Sequence, residues 1–342
     1  MHTSTNPVVV GLDNGGNVNN ATVLETSGQF LVDALVESPS LVLEGPDIAM
    51  DALVRAFEDV LALTGTAKTA VLAVGLDTPG PASAEGVISS RGSTNFSQPA
   101  WRSFDVRRAL AERLQLPVIY NNDGNAAALY AHHMHFGSAG SEHSSIAAIV
   151  GTGLGGGVIE AGQVVKGASG MAGELGHVHI PMAGLLGDNQ PMPRCNCGFL
   201  GDAESVASLT GIENNLLPYW LTRFRGHPLG KIEVPEEAAR QVRAYGEAGD
   251  EMALKIFEQQ AMALGRLFTI AANYTDPGVY FLGGGVVEST PAFRDWFMGK
   301  VREQTVLREE QTRVATFAVV PDLDMAGARG AALSALASLQ TR

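Results

Sequence analysis

The chain has 342 residues, 45% of them hydrophobic and 17% charged, so it can bury a large core, and its length favours two domains over one. A formal net charge of −13 without any lysine or arginine block argues against a nucleic-acid surface, so phosphate binding would have to come from backbone N–H groups and helix ends. No stretch is long and apolar enough to span a membrane, and "MHTSTNPVVVGLD" lacks the charged head of a signal peptide, so a cytoplasmic protein is expected.

In chain order, "PVVVGLD", "NATVLET" and "FLVDALVES" are short apolar runs separated by turns, and they predict three strands in a meander. After Pro46 the spacing of Ile48, Leu53, Val54, Phe57 and Leu61 becomes helical, and "AVLAVGL" follows as a buried strand. An irregular section from Pro79 to Trp101 precedes a second helix, "FDVRRALAERL", and a strand, "PVIYN". That strand runs into "YNNDGNAAAL", which puts two asparagines, an aspartate and a glycine at a strand-to-helix junction.

The same plan then begins again. "SIAAIVGTG", "GGGVIEAG" and "QVVKGA" predict three more short strands, with a glycine-rich turn after the first. A loop-rich insertion from Gly167 to Ser208 follows, then long helices, notably around Glu251 to Ala272. "GVYFLGGG" and "ATFAVV" are late strands, and "GARGAALSALASL" is a final helix. The repeated element order points to a duplicated α/β fold with two halves across a cleft. The expected division is an N-terminal domain over 1–122, completed by the helix at about 326–342, and a C-terminal domain over 123–325.

Three glycine clusters, "GLDNGG", "GTGLGGG" and "LGGG", each end an apolar strand. Such turns let the backbone approach a ligand and can cradle phosphate oxygens, although a single cluster is as readily a structural turn. No G-x-x-x-x-G-K-[ST] sequence is present, which excludes a Walker-type site. The two cysteines of "CNC", Cys195 and Cys197, stand too close for a disulfide framework and read as metal ligands or as free thiols in a reducing compartment.

"GLDNGGN", "NNDGNAAAL", "GTGLGGGV", "GELGH" and "CNCGFLGDAES" follow the order and rough spacing of the ROK family (repressors, open reading frames and sugar kinases), which the chain resembles over nearly its whole length. The resemblance implies a duplicated actin-like, ribonuclease-H-like fold that binds ATP and a sugar. The helix-turn-helix module of the repressor members is not expected here, because the first strand begins near Pro7. By resemblance Asp123 is the base that accepts the sugar hydroxyl proton, with helix capping as its alternative role. Asn122, Glu174, His177 and Glu204 would hold the sugar together with Asn95. Phosphates would meet Gly15, Gly16, Asn17, Gly151, Thr152, Gly153, Gly283 and Gly284, while Asp13 helps hold Mg²⁺.

Two departures from the family pattern stand out. The family's third zinc cysteine is Asp202 here, so a structural Zn²⁺ would rest on His177, Cys195, Cys197 and Asp202, with His179 as a spare ligand. "DNGGN" replaces the family's DxGGT followed by lysine, leaving Asn17 without a basic neighbour. The expected activity is ATP-dependent phosphorylation of a hexose, glucose to glucose 6-phosphate. The alternatives are a kinase for N-acetylmannosamine, N-acetylglucosamine, fructose or allose, and a catalytically weakened sugar-binding regulator. Expected partners are ATP, a small sugar and copies of the chain itself, as a homodimer or homotetramer.

Overall fold

The computed structural model describes residues 6–80, 82–89 and 96–340. Its first apolar run is β1 (Val8–Asn14), which turns at Gly15 into the antiparallel β2 (Val18–Glu25), with Asn14 opposite Asn19. The expected third strand shrinks to β3 (Glu37–Pro39). Leu31 N–H bonds Val23 O and Ala21 N–H bonds Val36 O, so two residues of advance along β2 are matched by five in the partner. The excess chain bows outward with Asp33, Ala34 and Leu35 exposed, and no ladder can form there.

Helix α1 (Pro46–Thr64), β4 (Val71–Thr78), α2 (Val106–Leu114), β5 (Val118–Asn122) and α3 (Asp123–Phe136) complete this stretch. The sheet order is β3-β2-β1-β4-β5, with β1, β4 and β5 parallel. Alternation along the strands sends Val8, Val10, Leu12, Val74 and Leu76 to one face, where they form a core with Met50, Leu53, Phe57, Val60 and Leu110. The other face of β1 and β4 carries Gly11, Asp13, Gly75 and Asp77.

The second stretch contains β6 (Ser145–Val150), β7 (Leu154–Glu160), β8 (Gln163–Val164), α4 (Pro235–Glu247), α5 (Glu251–Tyr274), β9 (Val279–Gly284), α6 (Pro291–Gln304) and β10 (Thr316–Val319). Its sheet order, β10-β9-β6-β7-β8, is the first sheet's order with each strand replaced by its counterpart, so the duplication expected from element order is present in the topology. Helix α5 is capped by Asp250, whose carboxylate accepts the Ala253 N–H at 2.9 Å. Its buried face carries Phe257 and Phe268, which meet Phe293 of α6 at 5.0 Å and Tyr280 of β9 at 5.3 Å between ring centroids.

The chain ends in α7 (Leu323–Gln340), which returns to the first sheet. A Cβ at Gly75 would lie 1.9 Å from the Ala331 carbonyl oxygen, so only glycine lets the helix seat on the strands. One unit comprises Met1–Gly140, Gly157–Gly173 and Pro321–Arg342, and the other Ser141–Gly156 and Glu174–Val320. Helix α3 therefore falls in the first unit, although the sequence places it with the second half. The reason is close helix packing: a Cβ at Gly330 of α7 would meet Ala126 O of α3 at 1.9 Å. Among the described residues no helix is long and apolar enough to cross a membrane.

Candidate active site

In the first unit, three parallel strands end side by side, and Asp13, Asp77 and Asn121 occupy the same register on β1, β4 and β5. Asp13 Oδ2 accepts a hydrogen bond from Asn20 Nδ2 at 3.3 Å. Asp77 is fully buried, and among the described residues no donor meets either of its oxygens. Burial, and then the neighbouring Asp13 charge, push the Asp77 carboxyl well above the usual carboxylate range. The Asn121 amide is likewise buried, and among the described residues neither of its polar atoms has a partner.

One residue beyond this row, β5 becomes α3. The helix cap is Asn122, whose Oδ1 accepts the Asn125 N–H at 3.1 Å. Asp123 is the first helical residue and is exposed, so the capping role considered for it belongs to its neighbour. Capping engages the Asn122 oxygen and leaves its amide N–H₂ as the group that could meet a ligand. In the turn between β1 and β2, Gly15 N–H bonds Val18 O at 2.9 Å. That N–H is spent on shaping the turn, which leaves Gly16 and the exposed Asn17 as the residues there that could donate to a ligand.

In the second unit, β6 and β9 are parallel neighbours with Val150 in register with Gly284, so the turn at Gly151–Gly153 emerges beside the turn that begins at Gly285, after Gly283 and Gly284 end β9. Gly151 N–H closes onto Gly153 O at 2.9 Å. Thr152 O accepts from both the backbone N–H and the hydroxyl of Thr210, at 3.1 and 3.0 Å, which fixes the turn from below. Arg243 donates through Nη1 to Gly285 O at 2.6 Å. This exposed guanidinium beside a glycine turn has no signal in the sequence, since it arrives from α4.

Glu174 is half-buried, and burial raises its carboxyl above the ordinary value. His177 is raised above its ordinary value chiefly by the hydrogen bond to Asp202, with Nδ1 at 3.4 Å from Asp202 Oδ2. Its Nδ1 also lies 3.9 Å from Cys195 Sγ, and Cys197 Sγ lies 3.7 Å from Asp202 Oδ2. The donor atoms of His177, Cys195, Cys197 and Asp202 all lie within 4.8 Å of one another. Tetrahedral zinc with sulfur, nitrogen and oxygen ligands needs donor separations of about 3.3–3.8 Å, so the set fits the ion with small adjustments. Cys195 is buried, and burial raises its thiol, so a metal would have to displace the proton. The spare ligand is not part of this set: His179 pairs with Asp202 through its backbone and sets its ring 5.4 Å from that of Phe199.

Glu204 bridges two features. Its Oε1 accepts from Cys195 Sγ at 3.2 Å and its Oε2 accepts the Leu154 N–H at 2.9 Å. Asn95, the remaining expected sugar ligand, lies outside the described residues. Asp77 and Asn20 lie outside the sequence motifs. The available signal was position, because Asp77 ends an apolar strand as Asp13 does.

Over residues 9–338 the chain matches the model of the ROK family. The glucokinase of Thermotoga maritima is 31% identical over 329 residues, covering 95% of this chain and 96% of that protein. The structure of a ROK hexokinase from Thermus thermophilus matches with a TM-score of 0.75 and 30% identity, covering 98% of this chain and all of that one. A ROK family glucokinase from Streptomyces griseus, solved in complex with glucose and AMPPNP, matches with a TM-score of 0.67 and 26% identity over 96% of this chain and 99% of that one. A family match over nearly every residue, a fold shared with ROK kinases and the duplicated sheet order agree, and the chain belongs to the ROK family.

Proposed function

We propose that this chain is an ATP-dependent hexose kinase whose substrate is glucose, phosphorylated at its 6-hydroxyl. The observation that carries the reading is Asp123: an exposed carboxylate on the first turn of a helix whose cap is already supplied by Asn122. The likeness to the glucokinase of Thermotoga maritima and to the Streptomyces griseus enzyme crystallised with glucose and AMPPNP supports the substrate and donor.

Phosphoryl transfer asks the protein mainly to position the reactants and to take one proton. Asp123 accepts the proton of the attacking hydroxyl, and the Asn122 amide donates to a neighbouring sugar oxygen. Glu174 accepts from sugar hydroxyls, and the Nε2 side of His177 is available to the sugar while Nδ1 faces the metal-binding set. In the first unit Gly16 and Asn17 donate to phosphate oxygens, and in the second unit Thr152 and Gly153 do, with Arg243 held beside the glycine turn by its bond to Gly285 O. Asp13 would hold Mg²⁺, which when bound neutralises charge on the phosphate oxygens. His177, Cys195, Cys197 and Asp202 would hold a structural Zn²⁺.

A coupled ADP-release assay over glucose, mannose, fructose, allose, N-acetylglucosamine and N-acetylmannosamine tests this reading. Glucose should give the highest kcat/KM. A higher value for an N-acetylated hexose would reassign the substrate, and sugar binding without ADP release from any of them would favour a regulator.

A further inference from the structure

We infer that Asn20, Thr22 and Arg329 hold one buried water molecule, and that Arg329 acts through it as a positioning residue for Asp13. The second half of this inference rests on the reading of Asp13 as the Mg²⁺-side carboxylate. Three side chains carry the first half. Asn20 Oδ1, Thr22 Oγ1 and Arg329 Nε are buried, and among the described residues none of the three atoms has a hydrogen-bond partner. All three residues line one cavity of about 10 Å³, which is room for one water.

The fold explains the gap. Asn20 and Thr22 alternate along β2 and share a face. Beside them the chain bows away between Leu31 and Val36, and α7 covers the space from the other side with Met325, Ala328 and Arg329. The Arg329 guanidinium is engaged at its end, where Nη1 donates to the Tyr130 hydroxyl at 2.7 Å and Nη2 to Val32 O at 3.2 Å. Nε is the nitrogen left over. The donor set then selects the occupant. Asn20 Nδ2 donates to Asp13 Oδ2 at 3.3 Å, so the amide oxygen is what the residue offers the cavity. That acceptor disfavours an anion, and the guanidinium disfavours a cation. Water can donate to Asn20 Oδ1, accept from Arg329 Nε–H and take either role with the Thr22 hydroxyl, which gives the three partners typical of a buried water. With both ends of its amide engaged, Asn20 holds Asp13 in one orientation, and partners behind a metal-binding carboxylate raise its affinity for the metal.

Helix α7 also touches Asp13 directly, since a Cβ at Gly327 would lie 2.9 Å from Asp13 Oδ2. Losing Arg329 can therefore act by shifting the helix, so the decisive variant is Thr22→Val, which keeps the side-chain shape and removes only the hydroxyl. A crystal structure of the full-length chain should show a water within about 3.2 Å of all three atoms. An empty cavity, where other buried waters are visible, overturns the inference. Calorimetric titration of Mg²⁺ into protein with one equivalent of ADP, against an ADP-only blank, reads the second half. Thr22→Val and Arg329→Met should each weaken Mg²⁺ binding by roughly 2- to 10-fold, the worth of one hydrogen bond. At saturating Mg²⁺ the kcat of Thr22→Val should stay within about twofold of the parent. The double variant should be no more than about twofold weaker than Arg329→Met, because both changes act through one water. Independent effects of the two changes, or unchanged Mg²⁺ affinity in Thr22→Val, overturn the positioning role and leave the reading of Asp13 standing. No Mg²⁺ binding beyond the blank overturns both. Should Arg329→Met fail to fold, Thr22→Val and the crystal structure still decide.

Discussion

Asp123 and Asp77 are two carboxylates in one unit with opposite surroundings, one exposed at a helix start and the other fully buried. A general base contributes about 10²- to 10⁴-fold to a rate, so Asp123→Asn should lower kcat by that amount and leave the sugar Kd within about tenfold. Steady-state kinetics with equilibrium binding of glucose would check it, and turnover within a few-fold of the parent would remove the base assignment. For Asp77 the expected effect is on stability. Its carboxyl lies well above the ordinary value of 3.8, because of burial first and the Asp13 charge second. A raised folded pKa favours the folded chain at low pH, and that contribution is lost as pH rises through the folded value. Asp77→Asn is neutral throughout. In magnesium-free buffer it should match the parent Tm below about pH 4 and exceed it at neutral and alkaline pH. Melting curves across pH would show this, and a uniform loss of Tm would mean that the amide disrupts packing.

At the scale of elements, the loop carrying "CNCGFLGDAES" is a set of turns and two-residue bridges with little regular structure of its own. Arg194 pairs with Leu200 and His179 with Asp202, while Cys195 N–H bonds Phe199 O at 2.9 Å. Such a loop gains its order from cross-links, and metal-binding energy is then also folding energy. Cys197→Ser should lower zinc retention and stability together, and Asp202→Cys should raise retention by adding a softer ligand. Elemental analysis and thermal melts with and without chelator would check both. Zinc-free protein with the same Tm as zinc-loaded protein would remove the structural role.

For the molecule as a whole, the C-terminal helix matters more than its position suggests. It carries small residues onto the first sheet, where Gly11 and Gly75 approach Ala328 and Ala331. It also places the buried Arg329 against Tyr130, with Nη1 donating to the hydroxyl at 2.7 Å and the guanidinium 5.0 Å from the Phe30 ring. Truncation after Val320 should therefore unfold the first unit, although every strand of its sheet remains in the chain. Hydrogen exchange in β1 and β4 would report it, and native-like protection in the truncated chain would show that the sheet is stable without α7.

Much of this protein was legible in its sequence. Apolar alternation and helical spacing are local signals, and they specified the strands and helices in order, including the repeat of the first plan in the second half. The strand after β2 is shorter than its apolar pattern suggests because alternation reports burial, and a chain that bows away between two contacts with β2 can be apolar without pairing. The motifs brought Asp13, Asp123, Glu174 and the donors around Cys195 into view, since each lies in a short run of chemically informative residues. What tertiary structure decided was proximity between residues far apart in the chain: Asp77 in register with Asp13, Arg243 beside Gly285, and Glu204 between the metal donors and Leu154. Tertiary structure also decided which turn N–H groups are already used, at Gly15 and Gly151. The physical reason is that sequence periodicity encodes which side of an element a residue faces, whereas sheet order and helix seating determine what it faces.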